Sequence, residues 1–172
     1  MHLKRFPYFV IILFIQKILC VKYGMTKIEC ETIDAKVMQF YACELVPVSK
    51  QMSELTVKIR VVKIPLRNIK IRVALTVPGV LTVYNDTWDI CALLSKRKSN
   101  RAFNDWIRPG LREFTNINHS CPYNHDLHFV KMPQPATEAK FALFGDQGIT
   151  LVDALVNGKK AVSLTLTYSE RL

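Results

Sequence analysis

The chain has 172 residues, 49% hydrophobic and 22% charged, with 24 Lys and Arg against 14 Asp and Glu for a formal charge of +10. Its basic residues are scattered, as in Lys58, Arg60, Lys63, Arg67, Lys70 and Arg72, with no Arg-rich tract and no nucleic-acid motif, so no nucleic-acid partner is expected. Residues 21–172 suit one domain with a real hydrophobic core, and two domains would be cramped.

Lys4 and Arg5 precede a largely apolar run from Phe6 to Ile15, followed by Gln16-Lys17-Ile18-Leu19-Cys20. This pattern predicts a secretory signal peptide over residues 1–20, with cleavage after Cys20 or Gly24. A membrane anchor needs roughly 20 apolar residues, and Lys17 cuts the run short, so no transmembrane anchor is expected in the mature form. Without Lys4, Arg5 and Lys17, the 24 basic residues become 21 against 14 acidic, a balance of +7. The plain reading of that charge is a solvated face; attraction to acidic glycans or lipid headgroups is the sharper alternative.

Losing the leader also leaves four cysteines, Cys30, Cys43, Cys91 and Cys121, an even set that implies two disulfides in an oxidising compartment. Of the three connectivities, strand neighbours favour Cys30 with Cys43, leaving Cys91 with Cys121. Two sequons, at Asn85 and Asn118, are candidate N-glycosylation sites and point independently to a secreted, extracellular protein.

Period-two alternation dominates the mature chain. Leu55, Val57, Ile59 and Val61 alternate with Thr56, Lys58 and Arg60; Ile69, Ile71, Val73, Leu75 and Val77 repeat the pattern, as do Val162, Leu164, Leu166 and Tyr168. Strands with one buried and one wet face are of the antiparallel type. Further strands are expected at 26–34, 39–47, 80–89, 126–132, 139–144 and 149–156, with breaks at Pro65, Pro78-Gly79, Gly145 to Gly148 and Asn157-Gly158. Asn157-Gly158 is the strongest hairpin signal. A phase change between 61 and 66 predicts a bulge or a strand that leaves its sheet.

Residues 91–115 depart from this rhythm: Ala92, Leu93, Leu94, Phe103, Trp106, Ile107, Leu111 and Phe114 recur at three- and four-residue spacings, predicting one or two short helices. Asn100 is a candidate cap for the second, and Arg108-Pro109-Gly110 is expected to kink or end it. The architecture expected is an all-β, immunoglobulin-like sandwich with a short helical crossover and two disulfides.

The densest polar cluster runs from Asn116 to His128. As a metal site it offers His119, His125, His128 and Asp126, but an oxidised Cys121 cannot ligate and no paired ligand spacing is present, so no metal site is expected. Ser120 beside His119 and Asp126 lacks a G-x-S-x-G elbow, and no phosphate loop or dinucleotide fingerprint occurs elsewhere. A disulfide-pinned loop between helix and strand accounts for the cluster best. No cofactor and no catalytic residue is expected, and the chain reads as a binding protein.

The aromatics Trp88, Phe103, Trp106, Phe114, Phe129, Phe141 and Phe144 read mostly as core. If the two sheets stand slightly apart, the same side chains enclose an apolar cavity, where each buried CH₂ of an acyl chain contributes up to ~0.8 kcal/mol.

Val83-Tyr84-Asn85-Asp86-Thr87-Trp88-Asp89-Ile90-Cys91, the later Asn116-Ile117-Asn118-His119-Ser120-Cys121-Pro122-Tyr123-Asn124-His125-Asp126 and the earlier Phe40-Tyr41-Ala42-Cys43-Glu44-Leu45 resemble a large insect family of small secreted proteins of unknown function. The resemblance runs from Ile28 through Met132. That family is similar to the chemosensory B proteins of insect taste organs and, more remotely, to the ML lipid-recognition domains. The resemblance implies an immunoglobulin-like sandwich with an apolar cavity. Pro133-Gln134-Pro135, the loose match over Phe141 to Asp153, and Pro109-Gly110 depart from the family pattern at what would be the cavity rim.

The function expected is a secreted carrier or presenter of a hydrophobic small molecule or lipid, in chemosensory or reproductive tissue as the resemblance suggests. Ile59, Val61, Ile71, Val73, Leu75, Phe129, Leu164 and Leu166 would line the cavity, with Phe103 and Trp106 as a lid. The competing expectation is an extracellular protein-interaction module with a filled core and a protein partner.

Overall fold

A computed structural model describes residues 22–79, 82–95, 108–137 and 147–171. The leader over 1–20, the expected strand at 139–144, the capping Asn100, and Phe103 and Trp106 all lie outside the described residues.

The described residues form eight strands: β1 (Lys22–Thr32), β2 (Met38–Ser49), β3 (Met52–Val61), β4 (Ile69–Thr76), β5 (Thr82–Asp89), β6 (Leu127–Pro135), β7 (Gln147–Val156) and β8 (Lys159–Arg171). Two short helices, α1 (Ile90–Leu94) and α2 (Arg108–Phe114), fall between β5 and β6. The strands form a five-stranded sheet of order β1-β8-β7-β4-β5 and a three-stranded sheet of order β2-β3-β6, with antiparallel pairing throughout. The chain is an all-β sandwich with its helices in the β5–β6 crossover.

The alternation in the sequence is what divides each strand into faces. Leu55, Val57, Ile59 and Val61 of β3 turn inward and are buried, while Arg60 between them is exposed. They meet Met25, Ile69, Ala154, Val156, Val162 and Leu166 of the other sheet in one hydrophobic cluster, joined by Leu94 of α1 and by Tyr123. Close approaches between the sheets run from β1 to β2, β3 and β6 and from β8 to β2. The sandwich is therefore closed over β1 and β8.

At the predicted hairpin between β7 and β8, Asn157 (φ 52°) and Gly158 (φ 80°) both occupy the left-handed region, as a type I′ turn demands. The phase change after Val61 is a strand leaving its sheet: β3 belongs to the smaller sheet and β4 to the larger. Between them Leu66 exchanges backbone hydrogen bonds with Tyr123, at 2.8 and 2.9 Å. Pro47 of β2 and Pro133 and Pro135 of β6 sit on edge strands, where a missing amide breaks no central ladder.

The two disulfides are Cys30–Cys43, which bolts β1 to β2 and so one sheet to the other, and Cys91–Cys121, which ties α1 to the loop before β6. One expectation is corrected: Arg108-Pro109-Gly110 opens helix α2 and does not end one. The first amides of a helix have no intrahelical acceptor, so proline loses nothing there and its fixed φ suits the first turn. α1 begins as capping chemistry dictates, with the Asp89 carboxylate accepting from the Ala92 amide at 2.9 Å.

Candidate ligand-binding face

Cross-strand register places three inward-facing rows across the five-stranded sheet. Trp88, Ile71, Ala154 and Val162 form the first; Asp86, Val73, Val152 and Leu164 the second; Tyr84, Leu75, Thr150 and Leu166 the third. Burial falls along every row from β8 toward β5: Val162 and Leu166 are buried, Ile71, Val73 and Leu75 are half-buried, and Asp86 and Tyr84 are exposed. Among the described residues the two sheets approach most closely at β1 and β8, and the core they share reaches β4 only at Ile69, with Ile71 packed on its margin. Beyond Ile71 the inner face of β4, with that of β5 beside it, is a half-open apolar floor with a polar rim.

The predicted cavity residues separate accordingly. Ile59, Val61 and Leu166 belong to the filled core, with 7%, 8% and 8% of their surface exposed. Ile71, Phe129 and Leu164 pack against that core while half-buried, and Val73 and Leu75 lie beyond it on the open floor. The set is thus divided between core and floor, with Ile71 and Leu164 at the boundary.

Tyr84, Asp86 and Trp88, which the sequence reading left unassigned or placed in the core, form the rim. Their signal was present in the period-two spacing of aromatic, acid and aromatic. The Trp88 indole N–H donates to Asp86 Oδ2 at 2.8 Å, the Tyr84 hydroxyl reaches the same oxygen at 3.4 Å, and the Thr87 amide donates to Oδ1 at 2.7 Å. The Trp88 indole, followed by the Thr87 amide, holds the Asp86 carboxyl below the usual carboxylate range. Partial desolvation and then the Asp86 charge push the Tyr84 phenol up. The rim therefore presents an ionised carboxylate between two neutral aromatic groups.

The His-rich loop is satisfied within itself. His119 Nδ1 lies 2.7 Å from the Ser120 carbonyl oxygen, which can only accept, so Nδ1 carries the proton and Nε2 is free to accept. His125 Nε2 lies 3.2 Å from it, and His125 Nδ1 lies 3.1 Å from the Asn116 amide nitrogen. His125 Nδ1 also lies 2.8 Å from the Asp126 carbonyl oxygen. Asp126 itself accepts from the Val61 amide at 2.9 Å, and His128 turns away to the Tyr41 hydroxyl at 2.7 Å. His119 thus meets Ser120 at its backbone carbonyl while the Asp126 carboxylate meets the Val61 amide, and among the described residues no three His, Cys, Asp or Glu side chains converge on one point. Asn116 ties the loop to β6 by accepting from the His128 amide at 2.8 Å.

Both sequon asparagines are exposed: Asn118 on this loop, and Asn85 on the outward face of the edge strand β5, opposite Ala74. Among the described residues no helix is long and apolar enough to cross a membrane.

Fold and floor together define a disulfide-linked antiparallel sandwich whose unequal sheets leave one apolar face partly open. Residues 68–138, from β4 through β6 with both sequons and the Cys91–Cys121 bridge, match the model of a family described as a protein of unknown function (DUF1091). No curated protein matches the chain.

Proposed function

We propose that this chain is an extracellular binding protein that carries a hydrophobic small molecule or lipid on the half-open inner face of β4 and β5, by partition and without bond-making. The observation that carries this reading is the half-open floor of Ile71, Val73 and Leu75, continuous with Val152 and Leu164. Apolar surface left half-wet in the folded chain favours an apolar occupant. A ten-carbon chain laid there with about half its surface covered gains roughly 4 kcal/mol before the cost of association. The paired cysteines and the exposed sequons support the secreted setting. A chemosensory role is the finer form of the same proposal and rests on the sequence resemblance alone.

A specific observation also favours the competing interaction module. Val46 and Val48 are 51% and 57% exposed on the edge strand β2, a surface suited to a protein partner. Native mass spectrometry of the protein secreted from insect cells, followed by organic extraction, separates the two. A co-purifying hydrophobic molecule that raises thermal stability when added back establishes the carrier. A clean apo mass with no stabilisation by a broad lipid panel overturns it in favour of the interaction module.

A further inference from the structure

We infer that the occupant of the open face carries a cationic head, an ammonium group, seated on Asp86 between Tyr84 and Trp88; this rests on the carrier reading above. Residues two apart on a strand share a face about 6.7 Å apart, so the three side chains form one line along β5, at the outer margin of the apolar floor. The indole and phenol both direct their polar edges to Asp86 Oδ2, which draws the two aromatic bodies in on either side of the carboxylate. An ammonium group approaching from the floor meets an ionised acceptor with lone pairs to spare.

Among the described acidic residues ion pairs form at the buried Asp153, with Arg72 and Lys160, and at the exposed Glu29, with Lys27 at 2.9 Å. Asp86 has no basic partner among the described residues, and every group that contacts its carboxylate is neutral. Its cross-strand neighbour on the inner face is Val73. A carboxylate beside an apolar floor, framed by neutral donors, is complementary to an alkylammonium compound and repels a fatty-acid carboxylate.

Global and local electrostatics predict opposite preferences, which makes the test decisive. The net positive charge attracts anions at long range, whereas Asp86 selects cations at contact. Decylammonium, decanol and decanoate, each below its micellar concentration, are titrated into the full secreted protein and its Asp86→Asn variant by calorimetry, with thermal melts confirming that both are folded. Decylammonium is expected to bind about fivefold or more tighter than decanol, with decanoate weakest. Asp86→Asn should abolish that preference while leaving decanol within about twofold, because the floor is unchanged. Binding of decanol equal to that of decylammonium, or a preference that survives in Asp86→Asn, overturns the cationic head and leaves the carrier intact. Failure of all three compounds to bind overturns the carrier reading and this inference with it.

Discussion

Asp153 offers the sharpest test of how the five-stranded sheet is held. It alternates with the inward Val152 and Ala154, so it lies on the outward face, yet it is 0% exposed. Its Oδ1 accepts from the Ser163 hydroxyl at 2.7 Å and from Lys160 at 2.9 Å, and its Oδ2 accepts from Arg72 Nε at 3.0 Å and from a second Arg72 nitrogen. Arg72 on β4, Asp153 on β7 and Ser163 on β8 are register partners, so one carboxylate clamps three adjacent strands. Asp153→Asn keeps the volume and one acceptor oxygen but leaves two cations without a counter-ion. Removing one member of a buried pair costs about 3–5 kcal/mol. Here Arg72 and Lys160 are 40% and 35% exposed and can turn to water, which reduces the expected loss to about 1–3 kcal/mol.

For a domain of this size a loss of about 2 kcal/mol lowers Tm by roughly 4–8 °C, readily seen by circular dichroism at pH 7. The acid limb checks the cause. Burial pushes the Asp153 carboxyl up, but the Ser163 hydroxyl, Lys160 and Arg72 more than offset it, and the net shift is downward. A depressed folded value means that the contribution is present in full above the unfolded carboxylate value of about 3.9 and is lost as pH falls through the folded value. The gap in Tm between wild type and Asp153→Asn should therefore hold from pH 7 to about pH 5 and close below about pH 4. A gap under about 1 °C at pH 7, or one that persists undiminished at pH 3, would refute the charge clamp.

The disulfides should rank by loop length. Replacing Cys91 and Cys121 with Ala frees a separation of 30 residues, and replacing Cys30 and Cys43 frees 13. Chain entropy assigns them about 3.6 and about 2.9 kcal/mol, so the first pair should show the lower urea midpoint, and the reverse order would count against the estimate. Tyr123 is fully buried, its hydroxyl donates to the His119 carbonyl, and burial pushes its phenol up to about 12. A phenol raised in the folded state contributes stability that is present below about pH 10 and is lost as pH rises toward the folded value. Absorbance at 295 nm should show a late-titrating component that Tyr123→Phe removes; a Tyr123→Phe titration that superimposes on wild type would contradict it.

The strands were legible in the sequence because the pleat is local: alternate residues face opposite sides whatever the partner, so Leu55 to Val61 and Ile69 to Leu75 declare themselves without tertiary information. The Asn157-Gly158 turn and the even cysteine count are local in the same sense. Pro109 misled because proline stops a helix from its interior but starts one from its first turn, and residue order alone does not say which end is at hand. Which strands share a sheet was beyond the sequence, since β1 and β8 join residues as distant as Lys22 and Arg171. The candidate site turns on that partition. Ile59 and Val73 look alike in the sequence, each an apolar residue on an alternating strand, yet one is buried and the other half-open. The physical reason is that burial depends on the facing layer: the shared core takes in Ile59 and reaches β4 at Ile69, but does not extend to Val73, with Asp86 beside it at the sheet edge.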